Sequence, residues 1–470
     1  MEMSWTRREM LRTVAALAGA PVLAAAAVAR PRVGIIGAGM AGVSLAWLLD
    51  GHYDVTLIEA APVIGGNVRG VDVDLDGHQF VVDIGAQYFH PGPYPLYTAL
   101  LSSLGLYPPQ AGGSHAFAAS ITVGVQGNPL PKFVSPVLPN RVWPLLAAWN
   151  SAGTAAFATC FAAARVREQQ GASFALTLGH WLPTLGLSRD QWEGMLLPWA
   201  ASLFSGSIEQ ARGLSARAAM IFAAKALPPN PLDPLLYYVL TPGMGEVLRR
   251  LLDLCSTVQV QTNAAVEHVA RNSVGGFQLH CAGGTVVTVD DLVFASSGPN
   301  TLQLLAGLPE AASQKAALQG IEFHDARLTL HTDPIYAPGH PLFWSFLNCR
   351  VEGGHCEASM WLAPVLAGAP PATAAKLWKS WTTHRLQQPT QVLHEATFKH
   401  MLPTPTTLAA QAVLRLMQGR DGIWFAGGYT RPYDAQETAL RSAMGVALGL
   451  GAATARVRTL ARHADGDGGQ

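Results

Sequence analysis

Three glycines and an acid carry the most specific chemistry in this sequence: Gly37-Ala38-Gly39-Met40-Ala41-Gly42, and Glu59 twenty residues after Gly39. Glycines at this spacing cradle the pyrophosphate of a dinucleotide. Gly37 permits a tight turn, Gly39 lets backbone approach the phosphates, and Gly42 lets a helix pack closely on a strand. A carboxylate at the Glu59 position accepts from ribose hydroxyls. A second doublet, Gly65-Gly66, follows in Ala60-Ala61-Pro62-Val63-Ile64-Gly65-Gly66-Asn67. It can bring another loop over the pyrophosphate, which a plain nicotinamide domain does not need.

These residues act only if strands and helices hold them. Val33-Gly34-Ile35-Ile36 is a short apolar run of the kind that forms a buried parallel strand. Val43 to Leu49 is helical in character, and Asp54-Val55-Thr56-Leu57-Ile58-Glu59 reads as a second strand ending in the acid. The helix start offers free N–H groups to phosphate charge. Strand, glycines, helix, strand and acid in register make a specific signal, where the glycines alone would be a weak one. A β-hairpin is expected next, Val71–Leu75 with His78–Val82, turned at Asp76-Gly77.

Beyond Val81-Val82-Asp83-Ile84-Gly85-Ala86-Gln87 the chain resembles the flavin amine oxidase and phytoene desaturase superfamily, in a bacterial branch described as predicted FAD-binding oxidoreductases. Later blocks carry the resemblance on: Thr241-Pro242-Gly243-Met244-Gly245-Glu246 before a helix, Val258 to Val266 as strand and turn, and Asp290 to Ser297 as a returning strand. The last is Gly422-Ile423-Trp424-Phe425-Ala426-Gly427-Gly428-Tyr429, followed by a helix from Gln436-Glu437-Thr438-Ala439. The resemblance implies FAD, with Gly37, Gly39, Gly42, Glu59, Gly65, Gly66, Val266, Gly428, Glu437 and Thr438 around it. Gly428 departs from the acid that many relatives carry there, and Thr438 and Ala443 from glycines. No cysteine follows Cys356, where covalent-flavin relatives carry theirs, so the implied FAD is non-covalent. For catalysis the resemblance points to Arg327, at a position where relatives place a lysine that holds water near the flavin N5. Tyr429 and Trp361 are candidate aromatic walls.

The expected fold is α/β (α+β overall): a Rossmann-like FAD-binding domain with a discontinuous substrate domain of helices plus antiparallel sheet. The FAD-binding segments are 30–110, 236–320 and 396–462; the substrate segments are 111–235, helical, and 321–395, sheet; 463–470 is a disordered tail. The helical segment holds an Ala-rich run around Leu145–Arg167 and Trp181, Trp192 and Trp199 among apolar residues. Lys plus Arg and Asp plus Glu are 31 each, and charged residues are 13% of 470. With no basic excess, nucleic acid is excluded as a partner. No internal apolar run reaches the roughly 20 residues that a bilayer requires. The histidines form no His-Glu-x-x-His and no metal cluster, so no metal is expected.

Residues 1–29 read as a twin-arginine signal: Arg7-Arg8, then 15 uncharged residues from Val14 to Val28, with small residues up to Ala29. The export machinery is thus an expected partner and the periplasm the expected location, an uncleaved membrane anchor being the alternative. Cys349 and Cys356 flank a turn at Glu352-Gly353-Gly354 and can be bridged there or remain, with Cys160, Cys255 and Cys281, separate thiols. The functional expectation is hydride transfer from a small-molecule substrate to flavin, with oxygen or a quinone as acceptor. The substrate is an amine, or an apolar molecule that is desaturated or isomerised; the Trp-bearing lobe favours the apolar one. Alternatives are an exported flavin-binding scaffold without turnover and an NAD-dependent dehydrogenase.

Overall fold

The computed structural model describes residues 30–135, 148–228, 234–366 and 368–464. The expected signal at 1–29 lies outside the described residues, as does the tail beyond Ala464, up to which the final helix, Ala455–Ala464, continues.

The apolar run predicted as the first strand forms Arg32–Ile36, buried from Val33 onward. It lies central in a five-stranded sheet whose order is Ile423–Phe425, Asp291–Phe294, Arg32–Ile36, Asp54–Ile58, Gln259–Gln261. Every pair in it is parallel. Parallel strands need crossovers and both faces covered. Helix Met40–Leu49 covers one face with helices Gly245–Asp253 and Gln436–Gly449, and all ten of its residues are buried. Val43, Leu45, Leu48 and Leu49 reach 0% exposure, each contributing about 1.5–3 kcal/mol of apolar burial. The other face meets an antiparallel sheet of Val266–Arg271, Phe277–Cys281 and Val286–Val289. Gly34 allows that approach, since a Cβ there would lie 2.9 Å from Leu279 Cδ1.

The hairpin forms as Gly70–Leu75 with His78–Asp83, and its turn residues Asp76 and Gly77 both take positive φ, 56° and 74°. A seven-stranded sheet stands apart from the parallel one, in the order Val392–Met401, Phe323–His331, Trp378–Trp381, His355–Trp361, Leu347–Glu352, Ile121–Val125, Phe133–Val134. It is antiparallel except that Ile121–Val125 runs parallel to Leu347–Glu352. Two strands of the segment read as helical therefore complete this sheet. Val392–Met401 likewise runs unbroken across the expected boundary at 395, because all of it is needed to pair with Phe323–His331. The Ala-rich helix runs Ala148–Gln169 and packs with helices Leu197–Phe204 and Ile221–Ala226 into one core with the sheet.

Cys349 and Cys356 do lie across a hairpin, but Cys349 pairs with Ala358 and Cys356 with Val351. That is a diagonal relation, about 7–8 Å, too long for a disulfide. All five cysteines are free thiols. Among the described residues no helix is long and apolar enough to cross a membrane.

Candidate functional site

The carboxyl ends of the parallel strands open into a cavity of about 910 Å³ that continues under the seven-stranded sheet. At its near end the glycine loop closes Arg32–Ile36 onto helix Met40–Leu49. Gly37 has φ +108°, and a Cβ there would lie 2.7 Å from the Ala295 carbonyl oxygen. Gly42 is tighter still: a Cβ would lie 1.9 Å from the Gly37 oxygen. Gly39 differs. Its nearest atoms are Gly66 Cα at 3.7 Å and Gly65 O at 3.8 Å, and the rest of its side-chain volume is open. The second doublet docks on the first, Gly65 N–H donating to the Ala38 carbonyl at 3.0 Å.

This cradle fits a pyrophosphate. Backbone is bare at Gly39, Gly66 lines the same wall, and the helix start carries no side-chain cap. Its free N–H groups and dipole favour an anion. Glu59 and Val266 both line the cavity; the Glu59 carboxylate accepts from Ala38 N at 2.8 Å and Ala61 N at 2.9 Å, which fixes its orientation. Deeper in, the buried Gln87 Oε1 and Trp199 Nε1 have no protein partner and face the cavity.

Gly37, Gly39, Glu59, Gly66, Val266, Gly428 and Tyr429 thus share one cavity wall. Gly42 and Gly65 stand behind it as packing glycines. Glu437 and Thr438 do not reach it. Glu437 is fully buried and accepts from Tyr97 N at 2.8 Å and Leu96 N at 3.3 Å, capping helix Pro95–Ser103 and pairing with Arg441. Thr438 Oγ1 accepts from Ala435 N, closing the start of its own helix. Gln436 and Ala439 of that helix face the cavity in their place.

Arg327 and Trp361 lie on the wrong face of the sheet. Side chains alternate along a strand, and Leu328 and Leu330 point into the core, so Arg327 points away. Its guanidinium donates to the Thr382 carbonyl at 2.9 Å. Trp361 packs edge-on against Trp344 and donates to the Ala375 carbonyl at 2.9 Å. Among the described residues two lysines line the cavity: Lys399, which pairs with Asp325, and the buried Lys379, from the adjacent strand, paired with Leu330 and Met360. Sequence reasoning missed it; its signal was one lysine between two tryptophans in Trp378-Lys379-Ser380-Trp381. Lys379 Nζ donates to the carbonyls of Asp83 (2.9 Å) and Gly85 (3.2 Å). Burial lowers the Lys379 pKa, opposed by the charge of Asp83, whose own carboxyl burial raises. Asp83 accepts from Met244 N at 3.0 Å and so ties the hairpin to helix Gly245–Asp253.

The far chamber is aromatic. Tyr88 stands edge-on to Tyr237 (5.3 Å) and Phe346 (5.5 Å), and Phe161 meets Trp199 at 5.2 Å. Trp381 and Phe398 close the sheet side. Among the described residues the acids lining the cavity are Glu59, Glu267 and Asp434, and no cysteine lines it.

A family profile described as flavin containing amine oxidoreductase matches residues 40–325. A carotenoid phi-ring synthase of Chlorobaculum tepidum is 37% identical over 87 residues, which cover 18% of this chain and only 12% of that protein. A putrescine oxidase variant superposes with a TM-score of 0.60 at 16% identity, over 91% of this chain and 100% of the other. A fatty acid isomerase of P. acnes that produces CLA gives 0.60 at 12% identity, over 89% and 98%. At these identities the solved structures establish the fold.

Proposed function

Because the chain belongs to the flavin containing amine oxidoreductase family and is an FAD-dependent oxidoreductase, we propose that it oxidises, desaturates or isomerises an apolar, unsaturated lipid-like substrate in the aromatic chamber. The reading is carried by the aromatic walls of that chamber, which Tyr88, Phe117, Phe161, Trp199, Tyr237 and Phe346 form. An alkyl or polyene chain gains about 25 cal/mol for each Å² it buries there, while an ammonium has only ring faces to offset its desolvation. The names of the carotenoid synthase and the fatty acid isomerase support an apolar substrate in this fold, and that of the putrescine oxidase supports the amine alternative.

Bound FAD supplies the acceptor for a hydride at its N5. The chain does the rest. Gly39 and Gly66 hold the dinucleotide at one end, and the aromatic walls exclude water and align the C–H bond at the other. Lys379 spends two of its three N–H donors on the Asp83 and Gly85 carbonyls, which leaves one for a water or a polar substrate atom. Its lowered pKa suits it to give up or take a proton near neutrality. Oxygen or a quinone is the proposed acceptor and the periplasm the proposed location, a reading supported by the Arg7-Arg8 pattern ahead of an apolar run.

Anaerobic mixing of the oxidised protein with a panel of long-chain unsaturated lipids, polyenes and primary amines tests the reading. Flavin bleaching or product formation with the lipids supports it. Bleaching by amines alone, with lipids inert, would replace it by amine oxidation; a flavin that cycles with no substrate or acceptor would favour the scaffold.

A further inference from the structure

Asp434 has no role in what precedes. It lies on the loop between Gly428–Thr430 and helix Gln436–Gly449, and it lines the cavity. Its carboxylate takes no hydrogen bond from any described residue, and its surface is exposed to the cavity although it lies deep among protein atoms. It fills a particular space: a Cβ on Gly428 would lie 2.0 Å from Asp434 Oδ1 and 3.0 Å from its Cγ. The volume that a side chain at 428 would occupy is therefore taken by a carboxylate arriving from six residues downstream.

The strand order places this carboxylate along the dinucleotide. The phosphate glycines follow strand Arg32–Ile36; Glu59 and Val266 lie toward Asp54–Ile58 and Gln259–Gln261 on one side. Gly428 and Asp434 follow Ile423–Phe425, two strands away on the other side. Two strand spacings are roughly 10 Å. A dinucleotide with adenosine at Glu59 and pyrophosphate at Gly39 thus runs its flavin half toward Asp434. The donors carried just beyond the pyrophosphate on that half are the ribityl hydroxyls, and an unpaired carboxylate needs donors.

We propose that Asp434 is an FAD-binding residue, accepting hydrogen bonds from the ribityl hydroxyls in the space that Gly428 leaves free. Burial pushes the unliganded carboxyl up to about 6, the mark of a group that lacks the donors it would gain on binding. The inference rests on FAD lying across this strand edge. Its competitor is that Asp434 anchors a substrate ammonium.

The test is titration of apo-protein with FAD, followed by flavin fluorescence, and with ADP, which keeps the adenosine and pyrophosphate and lacks the ribityl chain. Asp434→Ala is expected to raise the FAD dissociation constant about ten- to a hundredfold, the weight of one charge-assisted hydrogen bond, and to leave that of ADP unchanged. Gly428→Asp in the Asp434→Ala background should restore part of the FAD affinity, whereas Gly428→Asp alone should weaken it by collision with Asp434. Unchanged FAD affinity in Asp434→Ala overturns the proposal, above all if the KM for amines rises instead. Equal loss of FAD and ADP overturns it as well, since that reports loop damage. A wild-type protein that binds no FAD fails earlier, at the cofactor itself.

Discussion

Two glycines of the same motif should fail in opposite ways when a side chain is added. Gly39 has φ −82° and ψ −169°, extended backbone that any residue adopts, and a Cβ there meets protein only at 3.7 Å or beyond. Gly39→Val should therefore fold, with its methyl groups projecting where the phosphates approach. If that costs two charge-assisted hydrogen bonds of about 1.5–3 kcal/mol each, FAD affinity falls by about 3–6 kcal/mol, roughly a hundred- to ten-thousandfold. Gly42→Ala puts its Cβ 1.9 Å from the Gly37 oxygen and 3.3 Å from Ala295 Cβ. Helix and strand must part, at or above the ~1–3 kcal/mol typical of overpacking. Fluorescence titration with FAD and apo-protein melting separate the two: Gly39→Val loses affinity and keeps the wild-type melting temperature, whereas Gly42→Ala melts lower. FAD binding by Gly39→Val at wild-type strength would refute the placement of the pyrophosphate.

Three further outcomes follow from the same geometry. Lys379→Met should slow flavin reduction by about a hundredfold, the low end for a positioned proton-transfer group, and remove from the rate profile an ionisation that lies below the usual lysine range; a variant with an unaltered pH profile would leave Lys379 a purely structural group. His331 is fully buried, bonded through Nε2 to Ser380 Oγ at 2.8 Å, and burial pushes its pKa down to about 4. The unfolded chain takes up that proton below about pH 6.5 while the folded one does not, so stability is full above about 6.5 and declines as pH falls toward 4. The loss at pH 5 is about 2 kcal/mol, and thermal melts from pH 7 to 5 should show a shallower slope in His331→Asn. Acid precipitation should release FAD into the supernatant, because no cysteine lines the cavity; flavin retained in the pellet would contradict non-covalent binding.

The nucleotide end was legible because local rules set it. A continuous apolar run, a positive-φ glycine and a helix start occur within residues 33–49, and the strand, loop and helix fall where the pattern puts them. The substrate end depends on which face of a sheet looks inward, and a strand cannot state that by itself. Arg327 sits on the strand where a catalytic cation was expected, but alternation turns it outward once Leu328 and Leu330 fill the core. Lys379, on the next strand, arrives on the inner face through pairing with Leu330, a register set 49 residues away in sequence. Glu437 shows the other limit. An acid at a helix start reads as facing a ligand, yet the N–H groups of Leu96 and Tyr97, more than 300 residues earlier, claim it. Asp434 could be read only after the Gly428 space was known, since its meaning is the volume it fills.

The account stands most directly on the absorption spectrum of the purified protein, followed during anaerobic addition of a long-chain unsaturated lipid. The visible band of oxidised flavin is expected at about one FAD per chain, bleached by a lipid that is oxidised or desaturated and restored by oxygen or a quinone, or left standing over an isomerised product. A colourless protein that takes up no FAD, or a flavin band that only amines bleach, would contradict the account.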